Sequence, residues 1–196
     1  MRPSYEPAKC HFQKSQARIR RYVKIQAVSL AATLLATQIG CAEDSTPETL
    51  SVDNFTCLMV KPMGYPRKEE NTRPGFKKFT FGDSLNFSKQ HSMLEVDLSV
   101  LAGMPEARTY VDAVQMPTSR FREYTDSPRS TMTINGTKFL TRSILGTLKN
   151  GWQAGEFVYV STSPGRFVLI TGLAQGEHGF SDLELLKKSA LTFRVK

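Results

Sequence analysis

From residue 52 onward, apolar and polar side chains alternate in short runs, and the period of each run names an element. Val52 to Lys61 reads as a first strand, stopped by Lys61-Pro62, Gly64 and Pro66. Arg67 to Pro74 is charged and turn-rich, which predicts a loop. Phe76 to Phe81 sets Phe76, Lys78 and Thr80 against Lys77, Phe79 and Phe81, a strand with one face more apolar than the other. Ser84 to Ser88 gives no clear period. His91 to Leu101 carries Leu94, Val96, Leu98 and Val100 on one side. Met93, Glu95, Asp97 and Ser99 fall on the other, which is polar enough to meet water. Gly103 to Met116 predicts a helix, with Pro105 in the opening turn, a stripe of Ala107, Tyr110, Val111 and Val114, and Pro117 as the stop. Phe121 and Tyr124 fit either a broken continuation of that helix or loop anchors.

The clearest stretch runs from Thr131 to Phe193. Three strands, Thr137 to Leu148, Ala154 to Thr162 and Arg166 to Leu173, are separated by Asn150-Gly151 and Pro164-Gly165 and preceded by Asn135-Gly136. These pairs suit tight reversals. Phe157 and Tyr159 oppose Val158 and Val160, and Phe167 and Leu169 oppose Val168 and Ile170. Apolar side chains on both parities predict strands covered on both faces. From Phe180 to Arg194 the period changes to one near 3.6, with a buried stripe of Leu183, Leu186, Ala190 and Phe193. Ser181 and Glu184 have capping-box spacing, and Phe180 and Leu185 have staple spacing. The expected fold class is therefore α+β: an antiparallel sheet covered by helices on both faces, a three-layer α-β-α sandwich.

Charge changes the picture only when it is located. The chain has 26 Lys and Arg against 18 Asp and Glu, a net of +8. Seven of those cations and one acid lie in residues 1–41, so the remainder, with 19 basic and 17 acidic residues, is nearly balanced. That removes most of the case for nucleic acid as a partner. The leader has a basic region ending at Lys24, an apolar run from Ile25 to Ile39 and small residues around Gly40-Cys41-Ala42. The run is short of the roughly 20 residues that a bilayer span needs. Residues 1–41 therefore read as an export signal, with a retained membrane anchor or a buried helix as the alternatives. Ile39-Gly40-Cys41 fits the bacterial lipobox at the two positions before the cysteine, although Gln38 stands where leucine is usual. Cys41 is thus expected to be lipidated, and ordinary cleavage after Ala42 stays open. Residues 42–49 form a polar tether and residues 50–196 a single folded domain. With Cys10 in the leader and Cys41 acylated or removed, Cys57 is alone on an alternation with Phe55 and Met59, which predicts a buried, inert thiol.

From Ile134-Asn135-Gly136-Thr137-Lys138-Phe139, through Gly146-Thr147-Leu148 and Phe157-Val158-Tyr159-Val160, to Leu191-Thr192-Phe193-Arg194, the chain resembles the PsbP-like fold family. That fold is shared with DcrB-like and Mog-type proteins, among them bacterial envelope lipoproteins and a eukaryotic Ran-binding protein. The resemblance is strongest from about Thr131. It implies a three-layer domain, not an enzyme, that docks on other proteins or serves the envelope.

Candidate chemistry is sparse. His178, in Gly176-Glu177-His178-Gly179, precedes the last helix with Ser181 and Asp182 close by, and a helix N-terminus favours anions. His178 and Ser181 are accordingly the candidate ligand-binding residues, and a small hydrolase or ligand binder using a pocket near His178 is the alternative function. Without Gly-x-Ser-x-Gly the nucleophile has no elbow, so no catalytic residue is assigned. Glu95 and Asp97 share a strand face and could hold a cation only with a third oxygen, so no metal and no cofactor is expected. Lys77-Lys78 and the Arg120, Arg122 pair are expected to cover aromatic surface with their stems. Asn54-Phe55-Thr56, Asn86-Phe87-Ser88 and Asn135-Gly136-Thr137 match the glycosylation sequon, which matters only in a eukaryotic secretory route. The reading that follows is an exported, lipid-anchored domain that binds a protein or envelope component. It is either a periplasm-facing outer-membrane lipoprotein or a secreted protein.

Overall fold

A computed structural model describes residues 46–82, 89–102, 106–112 and 116–196. The leader with Cys41, the residues 42–45 of the tether and the segment 83–88, including Asn86, lie outside the described residues.

The chain begins with a hairpin, β1 (Glu48–Val52) and β2 (Phe55–Met59). Asp53 in its turn holds a φ of 47°, a left-handed conformation that aspartate tolerates. The strand expected from Val52 to Lys61 is β2, and β1, which starts at Glu48 within the expected tether, precedes it. Leu50 and Val52 are buried, which draws the polar start of β1 into the sheet. The last strand, β11 (Arg194–Val195), pairs with the free edge of β2 and completes a three-stranded sheet.

The second sheet has eight strands, all paired antiparallel. They are β3 (Arg67–Arg73), β4 (Phe76–Gly82), β5 (His91–Ser99), β6 (Phe121–Asp126), β7 (Ser130–Ile134), β8 (Thr137–Leu148), β9 (Gln153–Ser163) and β10 (Arg166–Gly176). The order across the sheet is β3-β4-β5-β10-β9-β8-β6, and β7 pairs with the part of β8 that β6 leaves free. The expected loop from Arg67 to Pro74 is thus an edge strand. Its charges are tolerated because they face solvent and pair locally, Lys77 with Glu69 at 2.5 Å and Arg67 with both Glu69 and Glu48 at 2.9 Å. Phe121 and Tyr124 lie in a strand too, and not in a helical turn.

The three-stranded meander is where the sequence placed it. Asn135 and Gly136 both take positive φ, 45° and 85°, as a two-residue hairpin turn of type I′ requires. The first helix, α1, is described from Ala107 to Asp112, with Val111 fully buried. The ends of its expected span, 103–105 and 113–115, lie outside the described residues. The second, α2, runs from Gly179 to Ala190.

One face of the large sheet presents Phe79, Phe81, Leu94, Val96, Phe157 and Ile170 to a core shared with α2 and with the three-stranded sheet. On the other face Val111 of α1 packs on Val158, Val160 and Phe167, and Met116 packs beside Phe121, Ile144 and Leu173. Both faces of the central strands are covered, but the covers differ from those expected. One consists of a helix and a small sheet, and the other is a helix described over six residues only. The face of β5 expected to meet water is buried at His91, Met93, Asp97 and Ser99.

Candidate functional site

His178 and Ser181, singled out by sequence, are both exposed. His178 precedes the first residue of α2, and its carbonyl accepts the Asp182 N–H at 3.0 Å while its side chain caps nothing. Ser181 lies inside the first turn, so the expected capping box does not form. Glu184 pairs with Lys187 at 2.8 Å instead, and Phe180 and Leu185, 37% and 38% exposed, form no buried staple. The cap comes from a distant residue: the Phe180 N–H donates to Oε1 of Gln153 at 3.2 Å. This requires the helix to start very close to β9. A Cβ at position 179 would lie 2.3 Å from the Gln153 carbonyl oxygen, so glycine is the residue that fits.

Neither His178 nor Ser181 lines the two best-formed cavities among the described residues. The first, of about 290 Å³, is bounded by Tyr65, Gln90, Ser92 and Asp182 among others. Burial raises the Tyr65 phenol, its 2.5 Å hydrogen bond with the Ser92 hydroxyl opposes this, and the Asp182 charge raises it further.

The second cavity, of about 350 Å³, is a cleft where the small sheet meets one end of β8, β9 and β10. The register aligns Ser163 with Arg166 and Ser161 with Val168, so all four side chains share a face. Thr137 enters from the start of β8, where Lys138 borders the cleft but leaves the strand on the opposite face, and Phe55 and Val195 enter from the small sheet. The Arg166 guanidinium lies 5.3 Å from the centre of the Phe55 ring. The positive charge of Arg166 reaches Cys57 behind that ring, but burial dominates and pushes the thiol up to about 12. Cys57 is fully buried and stays protonated, the inert thiol that its alternation predicted. Sequence reasoning passed over this cleft. Its signal is Ser161-Thr162-Ser163-Pro164-Gly165-Arg166: hydroxyls at alternate positions and a cation across a two-residue turn converge on one face.

A third feature lies on the α1 side of the large sheet, where Asp97 is buried and its neighbours Lys78 and Glu95 are half-buried. Lys78 of β4 stands opposite Asp97 in register and pairs with Glu95 at 2.8 Å. Burial lowers the Lys78 ammonium, but the Glu95 hydrogen bond and the charges of Asp97, Glu95 and Glu70 together raise it. Burial lifts the Asp97 carboxyl from the ordinary 3.8 to about 7; Glu95 adds to this and Lys78 opposes it. Oδ1 of Asp97 and Nε2 of His91 have no hydrogen-bond partner among the described residues. Among those residues no three His, Cys, Asp or Glu come close enough together to hold a metal ion. The basic clusters are largely neutralised: Lys77 pairs with Glu69, Lys78 with Glu95 and Arg122 with Glu123, while Arg120 donates to Gln175.

No family model matches the chain, and no curated protein matches it. Solved structures do resemble it. LpqN, involved in cell envelope biogenesis of Mycobacterium tuberculosis, aligns over 77% of this chain and 91% of its own with a TM-score of 0.46 at 12% identity. Cyanobacterial PsbP (CyanoP) from Synechocystis aligns over 82% and 99% with a TM-score of 0.48 at 13% identity. The second carries the name of the PsbP-like family that the sequence resembles. At these identities the likeness is one of fold alone.

Proposed function

We propose that the chain is an exported domain, held at a membrane through Cys41, that binds an envelope component and does not transform it. The observation that carries binding is the cleft beside Arg166. It offers hydroxyls and the Arg166 guanidinium over an apolar floor of Phe55 and Val168. No carboxylate or imidazole among its lining residues stands ready to activate a hydroxyl, as nucleophilic or acid–base catalysis would need.

Export and anchoring rest on the leader. The basic region, the apolar run and Gly40-Cys41-Ala42 follow one another in the order an export signal requires. Among the described residues no helix is long and apolar enough to cross a membrane. In this reading residues 42–47 act as the tether, and the body faces the periplasm from the outer membrane, or is secreted if the thiol is not acylated. One acyl chain alone gives marginal anchoring, and diacylation of a lipobox cysteine meets the need for two.

Metabolic labelling with a fatty-acid analogue tests the anchor. The full chain should incorporate label and fractionate with membranes, and Cys41→Ala should lose both properties. A mature form that begins at Glu43 without an acyl group would refute it.

A further inference from the structure

We infer that the cleft formed by Arg166, Ser161, Ser163 and Thr137 is a binding site for a phosphomonoester group carried on a small hydroxylated body. The inference rests on the binding reading above and adds the chemical class of the ligand.

Arg166 has no carboxylate within ion-pair distance among the described residues, whereas Arg67, Lys68, Lys77, Lys78 and Arg142 each have one. No acidic side chain lines the cleft either. A cation exposed at such an opening without a counter-charge makes an anion the complementary guest. The kind of anion follows from the donors. Arg166 lies over the Phe55 ring, and such stacking engages the guanidinium face and leaves its N–H edge able to form a fork. Three hydroxyls join it, Ser161 and Ser163 from β9 and Thr137 from β8. A carboxylate presents two oxygens and one charge, and would leave part of this set unused. A phosphomonoester presents three acceptor oxygens and a charge of about −1.5 to −2 at neutral pH, which uses it in full.

The rest of the guest is bounded by the walls. Phe55, Val168 and Val195 give a short apolar floor, suited to the carbon face of a sugar ring or a glycerol unit. At about 350 Å³ the cleft takes a headgroup and leaves acyl chains outside. The phosphomonoester can therefore belong to a soluble metabolite or to a lipid headgroup.

Titration of the full chain separates these sources. The probes are glycerol 3-phosphate in solution and phosphatidylcholine vesicles containing phosphatidic acid, each applied to the native chain, to Arg166→Gln and to Arg166→Gln combined with Ser163→Ala. Both side chains are exposed, so the variants should keep the native circular dichroism spectrum. The basic leader is present in every variant, so differences in vesicle binding report on the cleft. Loss of the Arg166 charge should weaken binding about tenfold, the scale of one charge-assisted hydrogen bond, and loss of the Ser163 hydroxyl should weaken it further. Binding of glycerol 3-phosphate should also tighten from pH 5 to pH 7 as its second ionisation, near pH 6, is completed. Saturable glycerol 3-phosphate binding supports a soluble ligand. Vesicle binding alone, lost in the double variant, supports a lipid headgroup. Binding that is absent for both probes, or unchanged in the double variant, overturns the site. Loss of acyl label in Cys41→Ala alongside that result would leave the anchored, exported reading in place.

Discussion

Asp97 is the residue at which burial and charge are most at odds. It is 6% exposed, Oδ1 has no hydrogen-bond partner among the described residues, and its ionised form is disfavoured by burial first and by Glu95 second. Lys78 opposes this from β4, and on the α1 side the Tyr110 phenol, itself raised mainly by burial, also feels the Asp97 charge. The folded protein holds the Asp97 proton up to about pH 7, whereas the unfolded chain releases it near 3.8. Between those values the native state binds more protons, so this group lowers stability as pH rises, with the full cost present above pH 7. Asp97→Asn should remove that slope and stabilise the protein at pH 8 by on the order of 2 kcal/mol, read by urea unfolding at pH 4, 6 and 8. A native chain equally stable at pH 5 and pH 8 would contradict the assignment. The sequence put Asp97 on a solvent face because alternation reports which side chains share a face and not what covers that face. The cover, residues 107–112 and Met116, belongs to the segment after the strand, and a run of nine residues carries no information about it.

At the scale of elements, the strands of the meander could be read because their turns and apolar runs are local signals. The start of α2 could not. Ser181 and Glu184 match a capping box, yet Gly179 and Phe180 are already helical because Gln153, from a strand that ends sixteen residues earlier in the chain, supplies the cap. Ser181→Ala should accordingly change stability by less than about 0.5 kcal/mol, since the side chain is exposed and caps nothing. Gly179→Ala should cost about 1–3 kcal/mol, because its methyl would have to displace the Gln153 carbonyl. Thermal unfolding of the two variants side by side checks the pair, and a larger loss at Ser181 would restore the capping box. The charged strand β3 was hidden for a related reason. Edge strands are filled with Lys, Glu and Arg to deter pairing with other chains, and the same composition locally resembles a loop. Ser161, Ser163 and Arg166 of the cleft escaped notice because the hydroxyls look like turn residues until the register aligns them with the arginine.

The whole molecule is closed by its last described residues. Phe193 is fully buried and meets Phe139 edge-to-face at 5.8 Å between ring centres. Around it the side-chain amide of Asn135 donates to the carbonyls of Leu191 and Phe193, and the Val60 N–H donates to Thr192 Oγ1 at 2.8 Å. Phe193→Ala should cost about 3–5 kcal/mol, measured by denaturant unfolding. A loss under 1 kcal/mol would show that the closing sheet is dispensable. Because β11 completes a sheet begun at Glu48, the hydrophobic interior cannot be sealed until nearly 150 residues of chain are available together. Such distant pairing folds slowly. Until Arg194 and Val195 arrive, the first hairpin has no mate along β2, and the apolar side chains beneath that edge stay open to water.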